Sequence, residues 1–132
     1  MKNYLKKQAQ YALNSRTLMP LSRAFTPVFS GIGSVVMLHR VVAKDSDILC
    51  EDLEVTAAYL ENTIRYFLSE GYDIISLDAV HEILSGVREQ NKKFVVFTFD
   101  DGYEDNYSVA YPIFKKYQAP FTVYVTTSFP DR

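Results

Sequence analysis

The spacing of apolar and polar residues changes period several times along the chain. SVVMLHRV, from Ser34, is apolar and rich in β-branched residues, which predicts a strand over 34–41. AKDSDILCEDLEVT is polar and acidic and reads as a surface loop. AAYLENTIRYFLSEG then places Leu60, Ile64, Phe67 and Leu68 at helical intervals, and Gly71 stands where a C-terminal cap belongs. YDIISL predicts a second strand. DAVHEILSG predicts a short helix with Asp78 as its N-cap and Gly86 at its end. KFVVFTF is a third strand. EDNYSVAYPIFKKYQ reads as a helix, but Pro112 lacks a backbone donor, so the helix must kink there or begin anew. APFTVYVTT is a fourth strand.

The order β-α-β-α-β-α-β calls for parallel strands joined by right-handed crossovers, an α/β fold of repeated βα units. The third and fourth strands are apolar on both faces, as buried parallel strands are. Residues 1–31 read as a basic N-terminal arm ending in the turn SGIGS, and 32–132 as the domain proper. A fourth strand left at the edge would expose Phe121 to Val125, so self-association through an open sheet edge is expected.

Composition refines this picture. A length of 132 residues suits one domain. The net charge of −2 hides an asymmetry: residues 1–44 carry seven Lys or Arg and no acid, while the rest is acidic. A weakly amphipathic helix over Asn3–Leu13 fits the basic front. It reads as a solvated helix, with peripheral contact to an anionic membrane by residues 1–25 as the alternative. Nucleic acid is not an expected partner. Gln8, Gln10, Asn14, Ser15 and Arg16 interrupt any apolar region of signal-peptide length, so the expected location is the cytoplasm or the inner membrane face. No apolar run is long enough to cross a bilayer. Cys50 is the single cysteine, which fits a reducing compartment, and no histidine lies near it in sequence to make it a catalytic thiolate. No glycine-rich nucleotide loop is present.

The densest chemistry lies in FVVFTFDDGYEDN, residues 94–106. A buried strand runs directly into Asp100, Asp101 and Gly102. Ligands of parallel sheets gather at the C-terminal ends of strands, where these carboxylates stand. Adjacent side chains at a strand end point apart, so one can hold a cation while the other accepts a proton. The plainer reading is an Asp-Gly turn with a helix cap. His39 closes the first strand on the same rim. It is a candidate for substrate contact or a second ligand, against the plainer reading of a ring bonded to a backbone carbonyl. Tyr103 is a candidate for lining the cleft, Thr98 for orienting the turn, and His81 reads as surface or packing. A phosphoryl-transfer site is a weaker alternative, because such sites space their aspartates by one residue.

TFDDGY at 98–103 resembles the first motif of the polysaccharide deacetylase family, the NodB homology domain of carbohydrate esterase family 4. VVMLHRV at 35–41, YLENTIRYFLSEGYDIISLDAV at 59–80 and YPIFKKYQAPFTVYV at 111–125 resemble the family's flanking strands and helices. The resemblance implies a distorted (β/α) barrel, of which about four strands form the first half. It implies metal-dependent removal of N- or O-acetyl groups from a polysaccharide, that of a cell envelope or surface by class. Asp100 would be the general base and Asp101 a ligand of zinc or a similar divalent ion, while His39 and Tyr103 remain candidates for substrate contact by their positions alone. The family's other two metal ligands come from a later His-(Ser/Thr)-x-x-x-His motif. The only histidines here are His39 and His81, and neither lies in such a motif. Two expectations follow: an N-terminal portion of a deacetylase with an incomplete metal site, or a non-catalytic remnant of that fold that binds glycan or a partner.

Overall fold

The computed structural model describes residues 31–50 and 52–127. All of the expected basic arm except Gly31, with its helix and its membrane contact, lies outside the described residues. In chain order the elements are β1 (Gly33–Leu38), β2 (Arg40–Val42), β3 (Glu54–Thr56), α1 (Ala57–Ser69), β4 (Asp73–Ile74), α2 (Leu77–Leu84), β5 (Phe94–Phe99), α3 (Tyr111–Lys116) and β6 (Thr122–Val123). A short 3-10 turn covers Asp45–Asp47, and a π-helical turn covers Asn106–Ala110 just before α3.

The sheet is organised around β5, whose six residues are all buried. β1 pairs with it in parallel along its whole length, from Gly33 opposite Phe94 to Leu38 opposite Phe99. Two strands share the other edge of β5. β4 pairs with Phe94 and Val95, and β6 pairs with Thr98 and Phe99, both in parallel. Alternation along β5 sends Val95, Phe97 and Phe99 to one face, where they meet Leu60 and Ile64 of α1 and Phe114 of α3. Phe94 and Val96 pack on the other face against Ile75 and Ala79. The larger core is strongly aromatic. Phe114 meets Phe97 edge-on at 5.3 Å and stacks on Phe121 at 4.5 Å between ring centroids. On the opposite face Gly33 makes room for Phe94, since a Cβ there would stand 2.3 Å from the Phe94 ring.

Several expectations need correction. The strand expected over 34–41 divides at His39, and β2 leaves the main sheet to pair in parallel with β3. The acidic stretch expected to be all loop therefore ends in a strand, in which Glu54 and Thr56 are buried. Both are buried because both are bonded. Glu54 accepts from Arg40 Nη1 at 2.8 Å, and Thr56 caps α1 by accepting the Tyr59 amide at 3.2 Å. Ser76, not Asp78, caps α2, accepting the Ala79 amide at 3.2 Å. Asp78 lies in the first turn, where a carboxylate favours the helix dipole.

The expected cap at Gly71 is present. The Tyr72 amide donates to the Phe67 carbonyl at 3.0 Å and the Gly71 amide to that of Leu68 at 3.1 Å, with Gly71 at a φ of 77°. α3 ends in the same motif, but with Gln118 in the left-handed position at a φ of 51°. Pro112 causes no break. The chain is helical on both sides of it, and the wider π-helical turn over Asn106–Ala110, directly before α3, accommodates the missing donor.

The apolar edge expected from Phe121 to Val125 is shortened. Phe121 and Val123 pack into the core, while Tyr124 and Val125 are exposed. Among the described residues the outer edge of β1 pairs with no strand, and its Val35 and Met37 are each 61% exposed. Beside it an apolar groove of about 570 Å³ runs between β1 and α1, lined by Leu38, Val55, Tyr59, Leu60 and Phe67.

Candidate active site

Register places the site. Leu38 and Phe99 are partners, so the residues that follow them, His39 and Asp100, leave the sheet on the same rim. The Asp100 amide donates to the Leu38 carbonyl at 2.9 Å, which carries the ladder one step further. The chain then turns sharply. Asp101 takes a left-handed φ of 72°, unusual for a residue with a side chain, and Gly102 follows with the same value. This double left-handed step breaks strand alternation and swings the Asp101 carboxylate across the rim.

There Asp101 meets two groups from different parts of the chain. Its Oδ2 lies 3.4 Å from His39 Nδ1, and its Oδ1 accepts from Thr126 Oγ1 at 3.3 Å. The His39 side chain is 24% exposed and that of Asp101 37%, so both are open to a ligand. When Nδ1 carries the proton toward the carboxylate, Nε2 is left free to accept. The ring is thus not the backbone-bonded histidine of the plainer reading. The bonded group is the His39 carbonyl, which accepts from Asn106 Nδ2 at 2.9 Å.

The sequence candidates separate into two groups. Asp100, Asp101 and His39 share one rim. Tyr103 is engaged from above by the Arg40 guanidinium, 5.1 Å from its ring centroid. Thr98 is buried in the ladder between Met37 and Thr122. His81 is exposed in the last turn of α2, and Cys50 is exposed and unpaired with any cysteine.

Four residues beside the site were not singled out from sequence: Arg40, Glu54, Asp105 and Asn106. Arg40 Nε donates to Asp105 Oδ2 and Nη1 to Glu54 Oε1, each at 2.8 Å. The hydrogen bond that Arg40 donates to Asp105, followed by the charges of Asp105 and Glu54, raises the Arg40 pKa above the usual arginine value. Glu54 is held below the usual glutamate range, chiefly by the Cys50 and Leu49 amides and then by Arg40. The available signal was the EDN that follows DDGY, polar residues at the start of a helix with no capping role for Asn106.

A divalent ion is the group the resemblance implies. Asp101 Oδ2 and His39 Nδ1 are separated by 3.4 Å, close to the edge of about 3.3 Å of a tetrahedron with bonds of about 2.0 Å. Two donors do not make a catalytic zinc site, which takes three protein ligands and a water. Among the described residues no group of three or more His, Cys, Asp or Glu is gathered to hold a metal. The described residues alone therefore do not fit the complete group.

Comparison with known proteins points to one family. The family model described as polysaccharide deacetylase matches residues 87–132, which include the two aspartates. A Bacillus subtilis (strain 168) protein, YxkH, provisionally named a polysaccharide deacetylase, is 30% identical over 91 residues, covering 69% of this chain and 30% of its own. The poly-β-1,6-N-acetyl-D-glucosamine N-deacetylase of Escherichia coli (strain K12) is 31% identical over 68 residues, 52% of this chain and 10% of that protein. The solved de-N-acetylase of Aggregatibacter actinomycetemcomitans superposes with a TM-score of 0.68 at 28% identity, covering 75% of this chain and 39% of that one. The chain thus spans less than a third of the length of these curated relatives. Parallel βα units, the paired aspartates at the end of β5 and these matches lead to one assignment: the chain carries part of a polysaccharide deacetylase domain of the NodB type.

Proposed function

We propose that this domain serves a metal-dependent deacetylase that removes acetyl groups, N-linked in the first instance, from a polysaccharide. The observation that carries the reading is the juxtaposition at the end of β5, where Asp100 follows the ladder and Asp101 is turned back against His39. Water attacking an acetyl carbonyl must lose a proton, and Asp100 is the base that takes it. Asp101 is one ligand of a divalent ion, zinc being the expected one, and His39 stands where it can add a second or touch substrate. Such an ion would polarise the acetyl carbonyl and acidify the attacking water. Its remaining ligands are not among the described residues. The names of the relatives support the N-acetyl linkage and the polysaccharide substrate.

The test is acetate release from a poly-N-acetylglucosamine and from an O-acetylated glycan, using protein at its native length. Release is expected to need a divalent ion, to stop on chelation, and to fall by about 10²- to 10⁴-fold in Asp100→Asn. Glycan binding without release, unchanged by added zinc, would reject the enzymatic reading in favour of a binding role for the same fold.

A further inference from the structure

The turn that carries Asp101 is fastened to a strand with which it shares no ladder. Asp105, 9% exposed, accepts from Arg40 Nε at 2.8 Å through Oδ2 and from the Val41 amide at 3.2 Å through Oδ1. Asn106, 3% exposed, donates to Asp105 Oδ1 at 3.2 Å and to the His39 carbonyl at 2.9 Å. Arg40 then reaches Glu54 at 2.8 Å, and its guanidinium lies over Tyr103. Apart from the bond to Glu54 and the one between Asp105 and Asn106, each of these contacts joins segment 39–41 to segment 103–106. His39 begins the first segment, and Asp101 lies two residues before the second.

The side-chain contacts described for Asp101, with His39 Nδ1 at 3.4 Å and Thr126 Oγ1 at 3.3 Å, are both long. Asp101 is in a backbone conformation that persists only when its surroundings over-determine it. Its contact with His39, at 3.4 Å, is too long to anchor either partner. By contrast, the Arg40–Asp105 pair is short, charge-assisted and directional. A partly buried pair of this kind is weak evidence for added stability, but it does select one geometry over others.

We propose that Asp105 and Arg40, joined by Asn106, are positioning residues that lock segment 39–41 to the 101–105 turn and so hold the Asp101 carboxylate against His39. The proposal deepens the functional reading and rests on Asp100 and Asp101 being its active pair. Asp105→Asn keeps an acceptor for the Val41 amide but removes the charge facing Arg40. Arg40→Gln removes the charge from the other side, and Arg40→Lys is the conservative variant.

The first readout is backbone ¹⁵N relaxation of the 132-residue chain. Order parameters at Asp101 and Gly102 should fall from about 0.85 to below about 0.6 in Asp105→Asn and Arg40→Gln, with β5 and α1 unchanged. The His39 and Asp101 amide shifts should move together, and Arg40→Lys should restore part of both effects. A merely structural role would lower the thermal midpoint and disturb β2 and β3 while leaving Asp101 rigid. In acetate release by the native-length protein, kcat should fall about 10- to 100-fold with KM unchanged. Unchanged order parameters and shifts in both charge-removing variants would overturn the proposal, as would wild-type kcat in both. If Asp105→Asn fails to fold, Arg40→Gln, on a side chain 36% exposed, decides alone. Absence of acetate release from the wild type would overturn the functional reading instead, and the relaxation data would still decide the positioning.

Discussion

Gly102→Ala tests the turn at its tightest point, and Gly71→Ala is its natural reference. Both glycines are left-handed, with φ of 72° and 77°. An alanine held there costs about 1–2 kcal/mol in backbone energy. The stiffer unfolded chain returns about 0.4–1 kcal/mol of that. A net loss of roughly 0.5–1 kcal/mol is therefore expected at Gly71, where a Cβ would meet nothing within 4 Å. At Gly102 the new Cβ would stand 3.3 Å and 3.4 Å from the Val125 methyls and 3.5 Å from the Val125 Cα. Val125 is 60% exposed, so its side chain gives way at modest cost, adding about 0.5–1 kcal/mol, below the usual range for a packed core. Thermal unfolding followed by far-UV circular dichroism should thus place the midpoint of Gly102→Ala a few degrees below that of Gly71→Ala, since 1 kcal/mol is worth about 4–8 °C in a domain of this size. The double variant Gly102→Ala/Val125→Ala should lose that extra deficit. Equal midpoints for the two single variants would refute the Val125 contact. No loss in either would refute the backbone argument itself.

Gln118→Gly should stabilise the domain by about 0.5–1 kcal/mol, because Gln118 is exposed and occupies a left-handed cap that glycine adopts without strain; urea midpoints would show it. Acid should unfold the domain through two glutamates. Glu54 is lowered by the Cys50 and Leu49 amides, and Glu61 by hydrogen bonds from Lys116 and Tyr117. The unfolded chain binds the more protons, so the stability they give is complete above about pH 4.5 and is lost as the pH falls through their lowered folded values. Glu54→Gln and Glu61→Gln should each flatten the acid limb of a stability–pH profile.

Much of this arrangement was legible in the residues. β5 could be read because a run between Lys93 and Asp100 that is apolar except for Thr98 has few alternatives, and α1 because Leu60 and Ile64 recur at helical spacing and are the residues found buried. The paired aspartates followed from their place at the strand's end. β3 was hidden because its pattern is polar inward. Glu54 and Thr56 look like surface residues until Arg40 and the start of α1 supply their partners. The division of the first strand was hidden for the opposite reason, since Arg40–Val42 continues the apolar run and only a long-range pairing diverts it. Asp78 outranked Ser76 as a cap by residue type alone, and a shift of two positions is not resolved by periodicity. The fastening of Asp105 and Asn106 spans more than sixty residues, a distance that local pattern cannot report.

The central place of β5 also sets a timetable for synthesis. β1 and β4 pair with β5 and not with each other. A ribosome therefore releases β1 about sixty residues, and β4 about twenty, before the strand that completes them. At about 5–20 residues per second, β1 waits roughly 3–12 s without its partner. Until then the nascent chain can form α1 and the small β2–β3 pair but no main sheet. The hazard of translation thus falls on GSVVML, an exposed apolar ribbon seeking an edge. Codons that slow elongation between Leu38 and Phe94 would lengthen that exposure, and chaperone demand should track their placement more closely than it tracks the stability of the finished domain.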